Sequence, residues 1–149
     1  MKRPFSIWLL VITLIVLALG GLSGAYGFLS DPSGSGMGMS EQLERLPVPD
    51  YTLPGVFLLV VMFIFPLLLA YGHLARPRWK FLDPLVTWSQ QHWAWGGSLA
   101  LGLGLVVWLV IQAFFIGFSA PIQWFTAFLA ASILVNTLVP PTRKYCRRA

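Results

Sequence analysis

Residues 30–55 read SDPSGSGMGMSEQLERLPVPDYTLPG and form the longest polar stretch of the chain. The stretch holds four of the five acidic residues, Asp31, Glu41, Glu44 and Asp50, with one base, Arg45. On both sides of it the sequence is apolar for about the length of a bilayer-crossing helix, roughly 20 residues. One apolar run precedes it at 5–27, and another follows at 53–72. A second polar stretch, 73–92, leads to two more runs at 93–118 and 122–139, and residues 140–149 close the chain. None of the four runs contains a charged side chain.

Composition agrees with this division. The chain has 149 residues, 57% hydrophobic and 10% charged. An ordinary soluble domain carries about 25% charged residues, so this chain cannot cover itself with polar surface. In lipid, each segment must satisfy its own backbone hydrogen bonds, which requires helices or a closed barrel. Barrel strands alternate over about ten residues, whereas these runs are continuous. The expected fold is an all-α membrane protein: one domain, a four-transmembrane-helix bundle.

Lys and Arg placement sets the expected orientation. Lys2, Arg3, Arg76, Arg78, Lys80, Arg143, Lys144, Arg147 and Arg148 make nine of ten basic residues on one side. That side is read as cytoplasmic, with both termini on it, and loop 28–52 lies outside. The net charge of +5 is therefore topological and suits anionic lipid headgroups; nucleic acid is not an expected partner. The expected location is a bacterial cytoplasmic (inner) membrane. Lys2-Arg3, an apolar run and Ser23-Gly24-Ala25 also resemble a cleavable leader. The run from Ile7 to Leu22 is long for one, and an uncleaved first helix is the expectation.

Small residues and prolines punctuate the runs. Gly20 and Gly24, spaced four apart, together with Gly102, suit close helix packing. Pro66 is expected to kink the second helix and can open a pocket. In loop 28–52, Asp31-Pro32-Ser33-Gly34 reads as a turn and 34–38 as flexible. Ser40 is the expected cap of a short helix over 41–46, ended by Pro47 and Pro49. Asp83-Pro84 reads as another helix start.

These residues resemble a family of small bacterial integral membrane proteins with no assigned activity. The resemblance rests on Asp31-Pro32-Ser33-Gly34 and on Tyr51-Thr52-Leu53-Pro54-Gly55 leading into the second helix. Trp108 four residues before Gln112, with Gly117 and Gln123 beyond, adds to it. It covers nearly the whole chain and implies a four-helix topology.

Catalytic constellations are not evident. No ionisable residue lies inside an apolar run, where such residues usually mark function. A Cys pair, a His-x-x-x-His pattern and a phosphate loop are all missing from the sequence. Cys146 reads as an inert surface thiol, and Met37 and Met39 lack a third ligand for copper. No cofactor and no enzymatic activity are expected. Gln112, Gln123 and Asn136 are candidate ligand-contact or helix-contact groups. Asp31, Glu41, Glu44, Asp50 and Tyr51 are candidate recognition residues of the outer loop.

Three readings follow. The first is a non-enzymatic protein that binds a protein partner or its own copies, as an accessory subunit does. The second is a binder or conduit for a lipophilic or small neutral molecule, near Pro66, Gln112 and Asn136. The third is a haem-binding redox protein using His73 and His92, since imidazole suits iron.

Overall fold

The structure is a computed structural model. It describes residues 2–147 except Met39, Asp83, Leu85, Val86, Ser89 and 118–120, and it does not describe the side chains of Met37, Gln42 and Ile116. The expected Asp83 cap and Met37–Met39 pair therefore lie outside the described residues.

The described residues are helical, with no strand beyond a single bridge between Gln91 and Arg147. Helix α1 spans Phe5–Ser30. Helix α2 (Thr52–Leu59) continues through a π-helical turn (Val60–Ile64) into α3 (Phe65–Ala75), making one rod. Helices α4 (Trp93–Ile116) and α5 (Pro121–Leu138) complete the set, and a short α6 follows at Pro140–Cys146. Four helices are long and apolar enough to cross a membrane: Phe5–Ser30, Thr52–Ala75, Trp93–Phe115 and Pro121–Leu138.

The helices form a closed ring. Helix α1 packs on the α2–α3 rod and on α5, and α4 packs on α3 and α5. Fully buried Leu10, Leu14, Leu69, Leu105 and Ile133 fill the centre. Chain direction puts residues 31–51 at one end of the ring, here the loop end. The chain termini and residues 76–92 share the other, the terminal end.

Helix ends differ from the sequence expectation for local reasons. Helix α1 runs past Gly27 to Ser30, because nothing stops it before Asp31-Pro32. The rod runs on to Ala75 and stops where Arg76 adopts a left-handed backbone, φ 53°. Pro77 follows directly, and a residue before proline is held out of the helical region.

Pro66 widens the rod rather than simply bending it. Proline has no N–H to give the carbonyl four residues earlier, which is that of Met62. The π turn ends just before Pro66, as such turns relieve a broken helical ladder. Gly21 of α1 lies directly against the Met62 backbone carbonyl, where a Cβ would overlap it. This corrects the expected packing role of Gly20, which faces open space. The helix rotation set by the core turns Gly21 inward instead. Gly24 does pack, against Leu58, and Gly102 packs against Leu134 of α5.

Residues 34–38 are ordered by Asp31. Its carboxylate accepts from the Ser33 hydroxyl (2.6 Å), the Ser35 hydroxyl (2.7 Å) and the Gly36 N–H (3.1 Å). Ser40 caps no helix: residues Gln42–Arg45 form one 3-10 turn whose N-cap position is Glu41. Pro47 and Pro49 leave no room for more. Asp50 supplies the cap that matters, its Oδ1 accepting from Thr52 N–H at the start of α2 (2.9 Å).

The tail at the terminal end is helical and docked. Pro140 and Pro141 start α6, where proline's missing N–H is tolerated. Thr142 Oγ1 bonds Ser6 Oγ (2.6 Å), and the Cys146 carbonyl accepts from His92 N–H (2.7 Å). Arg76 lies 4.7 Å from the centre of the Tyr145 ring. Cys146 is thus 2% exposed, not a surface thiol. Burial pushes its thiol up to about 12, against the opposing effect of Arg76.

Candidate functional site: a cavity at the loop end

A cavity of about 340 Å³ opens at the loop end between α2 and α4. Its walls are Phe28 of α1, Tyr51, Leu53, Pro54 and Phe57 at the start of the rod, and Trp108 and Gln112 of α4. Leu46 and Val48 cover it from the loop. The volume falls in the range of small-molecule pockets, roughly 300–1,000 Å³.

Two stacked pairs hold the walls. Phe28 stacks on Tyr51 at 4.4 Å and 8° between planes, and Phe57 stacks on Trp108 at 4.3 Å and 25°. Tyr51 is anchored as well: its N–H bonds the Pro32 carbonyl (2.8 Å), and its own carbonyl accepts from Gly55 (2.9 Å). It is 2% exposed, so it serves the cavity wall and not a loop surface, contrary to its expected recognition role. Burial raises its phenol above the usual range.

Among the described residues Gln112 is the one amide in the wall. Gln123, buried at the start of α5, donates to the Gly117 carbonyl (2.9 Å) and reaches Gln112 Oε1 at 3.5 Å. The Gly117 bond ties the start of α5 to the end of α4, and Gln112 Oε1 faces Gln123. No hydrogen bond among the described residues takes up Gln112 Nε2, so it remains a donor for the cavity. Asn136 belongs elsewhere: it donates to the Ser132 carbonyl within α5 (2.8 Å). Ser132 in turn meets Thr13 of α1 at 3.0 Å. The expected pocket near Pro66, Gln112 and Asn136 thus contains only Gln112 of the three.

The remaining loop candidates are solvent-facing. Glu41 and Glu44 are exposed, and Asp50 is half-buried beside its cap. Hydrogen bonds from Ser33, Ser35 and Gly36 hold the Asp31 carboxyl at about 2. It is the centre of a turn and has its acceptors filled.

The two histidines face protein partners. His73 Nε2 bonds Ser98 Oγ (2.8 Å), and His73 Nδ1 lies 3.8 Å from Cys146 Sγ. His92 Nδ1 accepts from Ala94 N–H (3.3 Å) as the N-cap of α4, and its Nε2 bonds the Pro77 carbonyl (2.9 Å). All four ring nitrogens are committed, so the geometry offers no open axial ligand for haem. Burial lowers the His92 imidazole, and Arg76 and Arg78 push the same way, against its bond to Pro77.

No protein-family model, no curated protein and no solved structure matches this chain. The site is therefore read from its own geometry.

The sequence singled out Gln112, Tyr51 and the Trp108–Gln112 spacing, but not that these residues share one cavity. Leu46 and Val48 carry a faint signal, as apolar residues inside a polar loop. Phe57 carries none, because aromatic residues are common in every apolar run here.

Proposed function

We propose that this chain is a multi-pass membrane protein that binds a lipophilic molecule in its loop-end cavity, without catalysis. The membrane reading is supported by the outer faces of the long helices. Ile12, Leu19, Val107, Val110, Phe114, Phe128 and Val135 are all exposed. An apolar belt of that extent is a liability in water and is natural against lipid. The charge asymmetry supports a cytoplasmic terminal end and, with it, a cavity in the outer half of the bilayer.

The observation that carries the binding role is the cavity with one oriented donor. Sequence alone ranks a partner-binding accessory protein first; this cavity moves the lipophilic binder ahead of it. A second hollow of about 370 Å³ between α4 and α5 is lined by Val, Leu and Ala side chains alone. It offers nothing to orient a ligand.

The test is mass spectrometry of organic extracts from protein purified in mild detergent from its native membranes. Wild type is compared with Leu46→Trp, which fills the cavity from its loop cover. A small molecule present with wild type and absent from Leu46→Trp is expected. Identical extracts from the two proteins would overturn the reading.

A further inference from the structure

We infer that the cavity takes a neutral amphiphile whose head is a flat ring bearing a carbonyl oxygen, with its tail in the bilayer. This rests on the binding role proposed above and specifies the ligand.

Charge tells against lipids whose head carries a net charge. Among the described residues no charged side chain lines the cavity. The loop above it carries Asp31, Glu41, Glu44 and Asp50 against one base, Arg45. An anionic head would approach through like charge and then lose its water without gaining a partner, which is strongly unfavourable. A cationic head is drawn to the loop, yet meets no carboxylate in the wall. A neutral head suffers neither penalty.

Hydrogen bonding selects the polar atom. Gln112 Oε1 is turned to Gln123, which leaves Nε2 as the donor. A donor in an apolar wall requires an acceptor oxygen, and a site built for one hydrogen bond discriminates against ligands that cannot complete it. A ring carbonyl supplies the acceptor without bringing a charge.

Shape selects the ring. Four aromatic rings line the cavity, in the stacked pairs Phe28–Tyr51 and Phe57–Trp108. Aromatic surfaces favour offset stacking with a further planar group. At about 30 Å³ per water, a cavity of about 340 Å³ has room for a substituted ring.

Toward the terminal end a tail finds no passage between the rod and α4. The rod and α4 are locked at the terminal end, where Gly72 meets Trp93 and Ala94, and Gly97 meets Leu69. Toward the loop end they are spanned by the Phe57–Trp108 stack. On this assignment the tail leaves at the loop end into lipid.

The experiment uses the full chain in phosphatidylcholine nanodiscs and native mass spectrometry. The probes are a short-tailed benzoquinone, oleate and phosphatidylglycerol. The variants are Gln112→Leu, Leu46→Trp and, as a control on an exposed face, Val107→Ala. One benzoquinone per wild-type chain is expected, unchanged in Val107→Ala. Gln112→Leu should bind it roughly five- to tenfold more weakly, the loss of about one hydrogen bond, and Leu46→Trp should not bind it. Because Leu46 lies in the loop cover, that variant tests the cavity without altering a long helix. Preferential binding of oleate or phosphatidylglycerol, lost in Leu46→Trp, would overturn the neutral-ring assignment and leave the binding role standing. No saturable binding of any probe would overturn both. Benzoquinone bound equally by wild type and all variants would be partition into lipid, and would also overturn the assignment.

Discussion

Gly21 of α1 rests on the backbone carbonyl of Met62, four residues before Pro66. The carbonyl that proline leaves without its usual donor is covered by the one residue type with no side chain to displace it. Gly20, one position away, touches nothing within 4 Å. The two glycines should therefore respond to the same substitution in opposite ways. Gly21→Ala should destabilise by about 1–3 kcal/mol, the usual effect of overpacking a close contact. Gly20→Ala should be neutral or stabilising by about 0.5–1 kcal/mol, because alanine favours the helix. Thermal unfolding in detergent distinguishes them; equal effects would mean that the α1–rod contact does not form as described.

Cys146 should be nearly inert in the folded protein. The thiolate is the reactive form, and burial with a thiol near 12 leaves about a thousandfold less of it at pH 8 than an ordinary thiol. Maleimide labelling should be correspondingly slow, and fast once the protein is unfolded. Tyr145→Ala removes the ring beneath Arg76 and should raise the rate by loosening α6. Rapid labelling of wild type would show that α6 is undocked.

Acid should loosen the terminal end through His92. Its folded imidazole is held below the ordinary value, so the unfolded chain binds the proton more readily. The sign follows by linkage. The contribution is full above the unfolded value of about 6.5 and is lost as pH falls from there through the lower folded value. The unfolding midpoint should therefore drop between pH 7 and pH 5. His92→Asn keeps a cap acceptor for Ala94 and should flatten that slope. An unchanged slope would remove His92 as its source.

Much of the architecture was legible because the chain needs helices wherever it is continuously apolar. Residues 5–27 and 53–72 lie inside the observed helices, and Pro66 flagged the irregular turn. Helix rotation was not legible. Gly20 and Gly21 differ only in which way the packed core turns α1, and no spacing rule registers that. The docking of α6 was equally hidden, since Arg143, Lys144 and Arg147 suggest a solvated tail. Its anchors, Thr142, Tyr145 and Cys146, are recognisable only beside Ser6, Arg76 and His73. Of the cavity, Gln112 was visible as an amide in an apolar run. Of its aromatic walls, Tyr51 and Trp108 were flagged singly, while Phe28 and Phe57 were indistinguishable from the other aromatic residues of the apolar runs.

Cysteines introduced at Ser35 and Thr87, in a Cys146→Ala background, should label from opposite sides of the membrane. Both positions are exposed, so access depends on sidedness alone. Labelling from one side would overturn the orientation, and with it the placement of the cavity in the outer half.

The clasp between Thr142 and Ser6 joins residues 136 positions apart. During synthesis, Ser6 emerges from the ribosome long before its partner exists. The terminal end of the bundle must then stand open while every long helix is made. His73 and Ser98 can meet each other in that interval, but Cys146 arrives after both. Closure of α6 thus follows synthesis of all four long helices, and a product cut short before Thr142 would display an unsealed polar end that α6 otherwise hides.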